Sequence, residues 1–201
     1  MTRTGLTLIL SIAAASAIAG QDWTDGGVTG GVTLSFRDAA HLHAREVRAV
    51  AELPHAADRI VGLVCDFTQV LDPGVREVKL LSGDLAARYE VYLRYASRYV
   101  VVAARDVVID VRREPQGCSW SEVGDRALER SGTVRMPLLR GSWVVEPLGD
   151  SRSRVVYQVA VRPGGRIPAW LVRKGAMDAL PDIIARVGRK LAGGDSVVRP
   201  S

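Results

Sequence analysis

Large aromatic side chains are scarce in this chain of 201 residues, which has two Phe, four Trp and five Tyr. Cysteine is equally rare, with Cys65 and Cys118 alone, so the sequence contains no disulfide framework of the kind that holds small secreted domains together. No Gly-Xaa-Ser-Xaa-Gly elbow, phosphate-binding loop or dinucleotide fingerprint is present. These absences remove the signatures of common hydrolases and nucleotide-binding enzymes.

The charged residues are also not clustered, since the arginines are scattered along the chain and form no run of like charge. A net charge of +5 suits an anionic partner, but without a basic cluster it does not indicate nucleic-acid binding. Nearly half of the residues are apolar, and the length fits one domain with a substantial core. We therefore expect a single globular domain, a monomer without a nucleic-acid partner.

The N-terminus has the pattern of an export signal. Arg3 precedes an uncharged stretch from Leu6 to Ala19, which is too short to span a bilayer comfortably and ends in Ala-Ile-Ala. We expect a signal peptide over residues 1–19, a domain over 22–192 and a loose tail over 193–201, with the protein periplasmic or secreted. In an oxidising compartment Cys65 and Cys118 could pair, although two separate buried thiols are the favoured interpretation.

Two strands and a helix are predicted in the first third of the chain. Apolar residues alternate over 28–37 and over 46–53, which is typical of half-buried strands, and 22–27 has the composition of a turn. From Pro54, apolar residues recur at spacings of three and four up to Cys65, which predicts a helix buried on one face.

A meander of antiparallel strands is predicted next, followed by a long closing helix. The predicted strands cover 75–81, 86–95, 99–113, 119–128, 133–138, 142–146 and 154–162. Residues 168–191 have helical periodicity, with Pro181 expected to kink the helix near Met177. A curved sheet of this size closed by one helix, with few large side chains to fill it, predicts an internal apolar cavity.

The C-terminal half resembles a known family. Arg105-Asp106, then Val134-Arg135-Met136, Gly141 to Pro147, Val155 to Tyr157, Pro163 to Gly165 and Ile167 to Val172 occur in the order and spacing of START (StAR-related lipid transfer) domains. The resemblance covers about residues 22–191. It extends to the wider SRPBCC or Bet v 1-like superfamily, to which START domains belong. It implies an α+β helix-grip fold, in which a curved antiparallel sheet wraps around a long C-terminal helix.

The resemblance also implies a function, namely binding of a sterol, phospholipid or similar lipid in an internal cavity, with no metal or catalytic cofactor. We expect the protein to carry or transfer that lipid in the periplasm, with transient contact at a membrane surface and no enzymatic activity. Two alternatives stay open, a polyketide cyclase or hydrolase that uses the same cavity, and a protein-interaction module whose cavity is filled. The enzyme would need convergent proton donors, for which Arg105, Asp106, Glu122 and Tyr157 are the candidates.

Arg105 is the most informative candidate residue, because a buried arginine requires either a ligand or an internal partner, and both remain possible. Arg135 poses the same choice, and Tyr89 and Tyr95 share a strand face that Tyr92 does not. His41 and His43 are more typical of a loop pair than of a metal site. The residues expected to contact the ligand are Arg105, Val101, Ala103, Val107, Tyr89, Arg135, Trp143, Tyr157, Trp170, Met177 and Leu180.

Overall fold

A computed structural model describes residues 23–96, 103–124 and 132–193, and it has the predicted α+β architecture. The two α-helices are α1 (Ala57–Val64) and α2 (Ala169–Leu191). The strands are β1 (Thr24–Thr29), β2 (Val32–Ala39), β3 (Ala44–Leu53), β4 (Val75–Asp84), β5 (Arg88–Tyr95), β6 (Ala104–Glu114), β7 (Gly117–Glu122), β8 (Thr133–Arg135), β9 (Leu138–Pro147) and β10 (Ser153–Arg162).

The strands form one sheet in the order β1-β2-β3-β10-β9-β7-β6-β5-β4. Every pairing along this path is antiparallel, and β10 joins the N-terminal strands to the later meander by pairing with both β3 and β9. β8 lies off the path and pairs in parallel with the start of β6, through Arg105 opposite Val134. The antiparallel meander was therefore correctly predicted except for this short strand.

Helix α2 covers the concave face of the sheet, as predicted. Its residues Leu180, Ile183, Ile184 and Val187 are buried in one core cluster with the alternating apolar residues of the strands. The helix contacts β2, β3 and α1. Pro181 lies inside it and leaves the carbonyl of Met177 without its usual backbone donor.

Two boundaries near the N-terminus differ from the prediction. The stretch predicted as one strand is a hairpin, because the Gly30–Gly31 pair takes left-handed backbone angles and turns the chain between β1 and β2. The predicted turn over 22–27 accordingly belongs mostly to β1. Helix α1 begins at Ala57, three residues after Pro54, with Ala56 as its N-cap.

The two cysteines form a disulfide, so the favoured interpretation of two separate thiols was wrong. Cys65 ends α1 and Cys118 lies on β7, and their Cα atoms are 5.8 Å apart. Sequence alone could not place the end of α1 over β7, which is what brings the two sulfur atoms together. The bridge fixes α1 to the middle of the sheet.

Several predictions fall outside the described residues, namely the signal peptide over 1–19, Val101, and all but the first residue of the tail over 193–201. Within the described ranges, no helix has both the length and the apolar character needed to cross a membrane.

Candidate functional site

A cleft of about 920 Å³ lies between one end of the sheet and the first turns of α2. Strands β2, β3 and β10, the loop after β10, and Val172 of α2 form its walls. The lining is mainly apolar, from Ala39, Ala40, Ala44, Val47, Pro137, Val159, Val161, Ile167 and Val172, with Asp38, His43, Arg45, Arg162 and the backbone of Pro163, Gly164 and Gly165.

Small residues and a glycine turn create this space. The β2–β3 connection contributes three alanines to the lining, and their short side chains leave the volume unfilled. At the opposite wall Gly164 and Gly165 have φ values of +71° and +69°, which glycine adopts without strain. A β-carbon at Gly164 would lie 2.7 Å from the carbonyl oxygen of Arg135, so this turn needs glycine for space as well.

One side of the cleft mouth is charged. The Arg45 Nε donates to Asp38 Oδ1 at 2.7 Å, and the guanidinium lies 5.1 Å from the ring centre of Phe36. The hydrogen bond from Arg45 lowers the pKa of Asp38 below its usual value. His43 stands beside them at φ +48°, just after the short 3-10 turn that contains His41.

The two histidines are thus a loop pair, as expected. In the part of the chain that the structure describes, no group of three His, Cys, Asp or Glu side chains could hold a metal ion. Arg45, Asp38 and His43 therefore form the polar edge of an apolar cleft.

Arg105 lies behind the opposite wall of the cleft. It points to the concave side, is 9% exposed, and donates to three carbonyl oxygens: from Nε to Pro163 at 3.2 Å, from Nη1 to Ala103, and from Nη2 to Gly164 at 3.3 Å. Burial lowers the pKa of this guanidinium below its usual value. Of the two roles considered, the internal ion pair does not occur among the described residues.

Aromatic side chains occupy much of the described interior between the sheet and α2, where the sequence predicts an internal apolar cavity. The ring of Tyr157 lies 4.3 Å from that of Trp143 and 5.7 Å from that of Trp120, and Phe67 contacts Trp120 edge-on. A void of only about 50 Å³ remains there, lined in part by Trp143 and Tyr157. The few aromatics of the chain are concentrated at this point, a clustering that composition does not reveal.

Burial dominates the chemistry of the interior tyrosines. Burial and then the charge of Asp72 raise the pKa of Tyr157, and burial raises the pKa of Tyr95 well above 10.0. Both phenols therefore stay protonated at neutral pH. They line the small void as weak hydrogen-bonding groups in an aromatic wall.

Tyr89 is a structural residue. Its hydroxyl donates to the carbonyl of Cys65 at 2.7 Å and accepts from the backbone N–H of Phe67 at 3.0 Å, which fixes the segment after α1. Burial raises its pKa to about 12. Its hydroxyl is thus occupied by backbone, and the contact of Tyr89 with a ligand stays a prediction.

Arg135 belongs to an ion pair on the outer face of the sheet, as its structural alternative required. Its Nη2 donates to Asp106 Oδ2 at 3.2 Å, and the Tyr92 hydroxyl donates to the same carboxylate at 3.2 Å. Tyr92 therefore faces away from Tyr89 and Tyr95, as predicted. Neither Arg135 nor Asp106 lines the cleft.

The remaining predicted contacts are dispersed. Val107 and Leu180 are core residues, and Ala103 is exposed and offers only its carbonyl to Arg105. Met177 is half-buried against β1, and Trp170 begins α2 with a side chain outside the described set. Trp143 and Tyr157 line the small interior void, and their contact with a ligand stays a prediction.

The four candidate acid–base groups do not share a cavity. Asp106 faces Arg135 on the outer side of the sheet, and Glu122 pairs with Arg140. Burial raises the pKa of Glu122, but hydrogen bonds from Arg140 and from backbone together leave it below the usual value. Tyr157 lies in the aromatic interior, so this set does not form a catalytic group.

Sequence reasoning missed the mouth residues Asp38 and Arg45. The signal was available for Arg45, because extending the predicted second strand by one residue puts Arg45 on the same face as Val47. No local signal placed Asp38 opposite it, since that depends on the register of β2 against β3.

Comparison with known proteins gives two kinds of similarity. No family model matches the chain. An uncharacterised protein of Pseudomonas aeruginosa is 43% identical over 51 residues, a match that spans about a quarter of each protein. Phosphatidylcholine transfer protein of Rattus norvegicus is 27% identical over 179 residues, which cover 84% of this chain and 83% of that protein.

Solved structures show where the fold recurs. The STAR-related lipid transfer protein of Xanthomonas axonopodis has a TM-score of 0.73 and 24% identity, over 85% of this chain and 98% of that one. The Zhui aromatase/cyclase of Streptomyces is more distant, with a TM-score of 0.53 and 14% identity over 77% of this chain and 100% of that one.

Strand order, closing helix and structural neighbours agree with one another. The chain is thus a START-fold protein, as the motif series of its C-terminal half predicted.

Proposed function

We propose that this protein binds a lipid in the cleft at the N-terminal end of α2 and carries it after export from the cytoplasm. The apolar cleft of about 920 Å³ is the observation that carries the proposal. Its volume lies within the roughly 300–1,000 Å³ of ordinary small-molecule sites, and its lining of alanine, valine, isoleucine and proline suits hydrocarbon. The rat phosphatidylcholine transfer protein and the Xanthomonas STAR-related lipid transfer protein are both named for lipid transfer, which agrees with the proposal.

Export is supported by two independent features. The N-terminal residues have the three parts of a signal peptide, and a buried disulfide suits an oxidising compartment. The net charge of +5, which becomes +4 when residues 1–19 and with them Arg3 are removed, would favour brief contact with an anionic membrane, where each nearby cation contributes about 1 kcal/mol. Pick-up and delivery of lipid at such a surface is the simplest use of a cleft that is already open.

An enzymatic role finds less support. The aromatase/cyclase relationship is distant, and the acid–base candidates lie apart in the described structure. We therefore propose reversible binding without chemical change of the ligand.

Native mass spectrometry of protein purified from its own host tests the proposal. We expect an added mass that is lost on organic extraction and identified as an intact lipid. A chemically converted product would favour the enzyme. Protein that carries no lipid, and that also fails to take up labelled lipid from vesicles, would rule out the proposed binding.

A further inference from the structure

Arg105 carries a buried positive charge that no described carboxylate balances. A guanidinium has five N–H groups, and three of them are donated to the carbonyls of Ala103, Pro163 and Gly164. Two N–H groups, one on each terminal nitrogen, remain without a described acceptor. Neutral carbonyls satisfy donors but do not neutralise charge, so an anion is the partner that this site lacks.

The neighbouring carboxylate is committed elsewhere. Asp106 follows Arg105 on β6 and therefore faces the other side of the sheet, where it is bound by Arg135 and Tyr92. Arg45, across the cleft, already has Asp38 as its partner at 2.7 Å. Arg105 is thus the cation beside the cleft whose charge is both buried and uncompensated within residues 23–96, 103–124 and 132–193.

Two of the residues that lie between Arg105 and the cleft are glycines. Gly164 and Gly165 line the cleft, and a β-carbon at Gly165 would stand 3.2 Å from Arg105 Nη2. That position would hold a β-carbon in any residue other than glycine. In this chain it leaves a window through which a ligand oxygen can approach the terminal nitrogens.

We propose that Arg105 binds the anionic group, a phosphate or a carboxylate, of a lipid whose apolar part fills the cleft. The inference rests on the proposed lipid binding and adds the chemical class of the ligand. Oxygen atoms of such a group accept the two spare N–H bonds through the Gly164–Gly165 window. The apolar lining from Ala39 to Val161 then covers the chains.

Direct titration of delipidated protein tests this assignment. The probes are short-chain phosphatidic acid, the free fatty acid and the diacylglycerol of the same chain length, each below its micelle concentration, with inorganic phosphate as a fourth. We expect the better anionic lipid to bind at least about tenfold more tightly than diacylglycerol, as a charged hydrogen bond implies. Whether phosphatidic acid or fatty acid binds better identifies the source of the anion.

Two variants connect the preference to Arg105. Arg105→Gln should lower the affinity for the anionic lipid to that for diacylglycerol and leave the affinity for diacylglycerol unchanged. Arg154→Gln, which removes an exposed ion pair with Glu146, should alter neither affinity. If Arg105→Gln does not fold, Gly165→Ala decides, because it closes the window and keeps the charge. Its matched control is Gly31→Ala, which has the same left-handed strain at φ +78° but no atom within 4 Å of the added methyl.

The outcomes separate the two claims. Equal binding of anionic and neutral lipids by wild-type protein overturns the role of Arg105 and leaves lipid binding intact. Uptake of none of the lipids overturns both. Inorganic phosphate that binds as tightly as phosphatidic acid would mean a site for the free ion, and an anionic preference that survives both Arg105→Gln and Gly165→Ala would place the anion elsewhere.

Discussion

The role of a single strand residue in this protein depends on the face of the sheet to which its side chain points. Arg105 and Asp106 are adjacent, yet one lies beside the cleft and the other in an ion pair on the outer face. Arg135, Tyr92 and Asp106 form one hydrogen-bonded group there, with the carboxylate only 2% exposed. Such a group contributes to stability when all of its members are present.

Removal of that carboxylate should be costly. Asp106→Ala leaves Arg135 and Tyr92 without their acceptor, and we expect a loss of about 2–3 kcal/mol in the free energy of unfolding. Asp38→Ala is the matched control, because its carboxylate is exposed and its removal should lower the stability much less. Urea unfolding measures both, and equal losses would contradict the assignment.

Asp110 predicts a pH dependence. The hydrogen bond from Arg88 is the main cause that lowers its pKa below the usual 3.8, with Arg112 contributing as well. A depressed folded-state pKa gives stability that is present above about pH 4 and lost as the pH falls through the lower folded value.

Asp110→Asn should therefore destabilise the protein by about 1 kcal/mol at pH 7 and by less near pH 2. Urea unfolding of wild type and variant at the two pH values gives the comparison. A difference that is unchanged at the lower pH would show that the charge of Asp110 is not the cause.

At the level of elements, α1 and α2 are held by different means. The disulfide attaches the end of α1 to β7, whereas α2 depends on apolar packing against the concave sheet. The first turns of α2 also form one wall of the cleft. α1 is thus attached covalently to the sheet, whereas the described contacts of α2 are non-covalent.

Loss of the disulfide should lower stability without changing the fold. The bridge joins residues 53 positions apart, and the loop-closure estimate for that length is about 4 kcal/mol, an upper value. Urea unfolding of the Cys65→Ala/Cys118→Ala double variant against the oxidised wild type measures the loss. Two alkylatable thiols in the unreduced, denatured wild type would contradict the pairing.

Met177 is expected to hold the first half of α2 against the sheet. Its Cε lies against Gly26, where a β-carbon would come within 2.6 Å of that methyl group. Met177→Ala removes about 1 kcal/mol of stabilisation from apolar burial between α2 and the sheet. If release of the lipid requires α2 to move, labelled lipid should therefore dissociate about fivefold faster. Asp178→Ala, on the exposed side of the helix, should leave the rate unchanged.

A Met177→Ala variant with reduced thermal stability and an unaltered release rate would show that α2 does not control release. Met177→Leu, which keeps most of the buried area, should restore the wild-type rate.

At the scale of the whole molecule, free space is unevenly distributed. The aromatic cluster fills the middle of the core, and the volume remains at the end near the Pro-Gly-Gly turn. The molecule therefore has a packed region that gives stability and an open region suited to exchange of a ligand.

Export makes a prediction about the mature chain. Cleavage after Ala19 would leave Gly20 as the first residue, three positions before Trp23. The guanidinium groups of Arg37 and Arg48 lie 4.5 and 4.3 Å from the ring centre of Trp23. Intact mass and N-terminal sequencing of protein from the envelope fraction should show this terminus. Full-length protein confined to the cytoplasmic fraction would contradict export.

The sequence by itself determined the order of elements, the closing helix and the family resemblance. Alternation and helical periodicity are local properties of the sequence. The order and spacing of motifs such as Arg105-Asp106 and Pro163-Gly164-Gly165 can also be read directly from the chain. These features could be predicted because neighbouring residues alone encode them.

Only the tertiary structure decided the disulfide, the partners of Arg105 and the place of the cleft. Each depends on residues far apart in sequence: Cys65 meets Cys118, Arg105 meets the loop after β10, and the aromatics of four segments meet in the core. The pairing of strands that are distant in sequence and the position of α1 over the sheet set these contacts, and local pattern encodes neither of them.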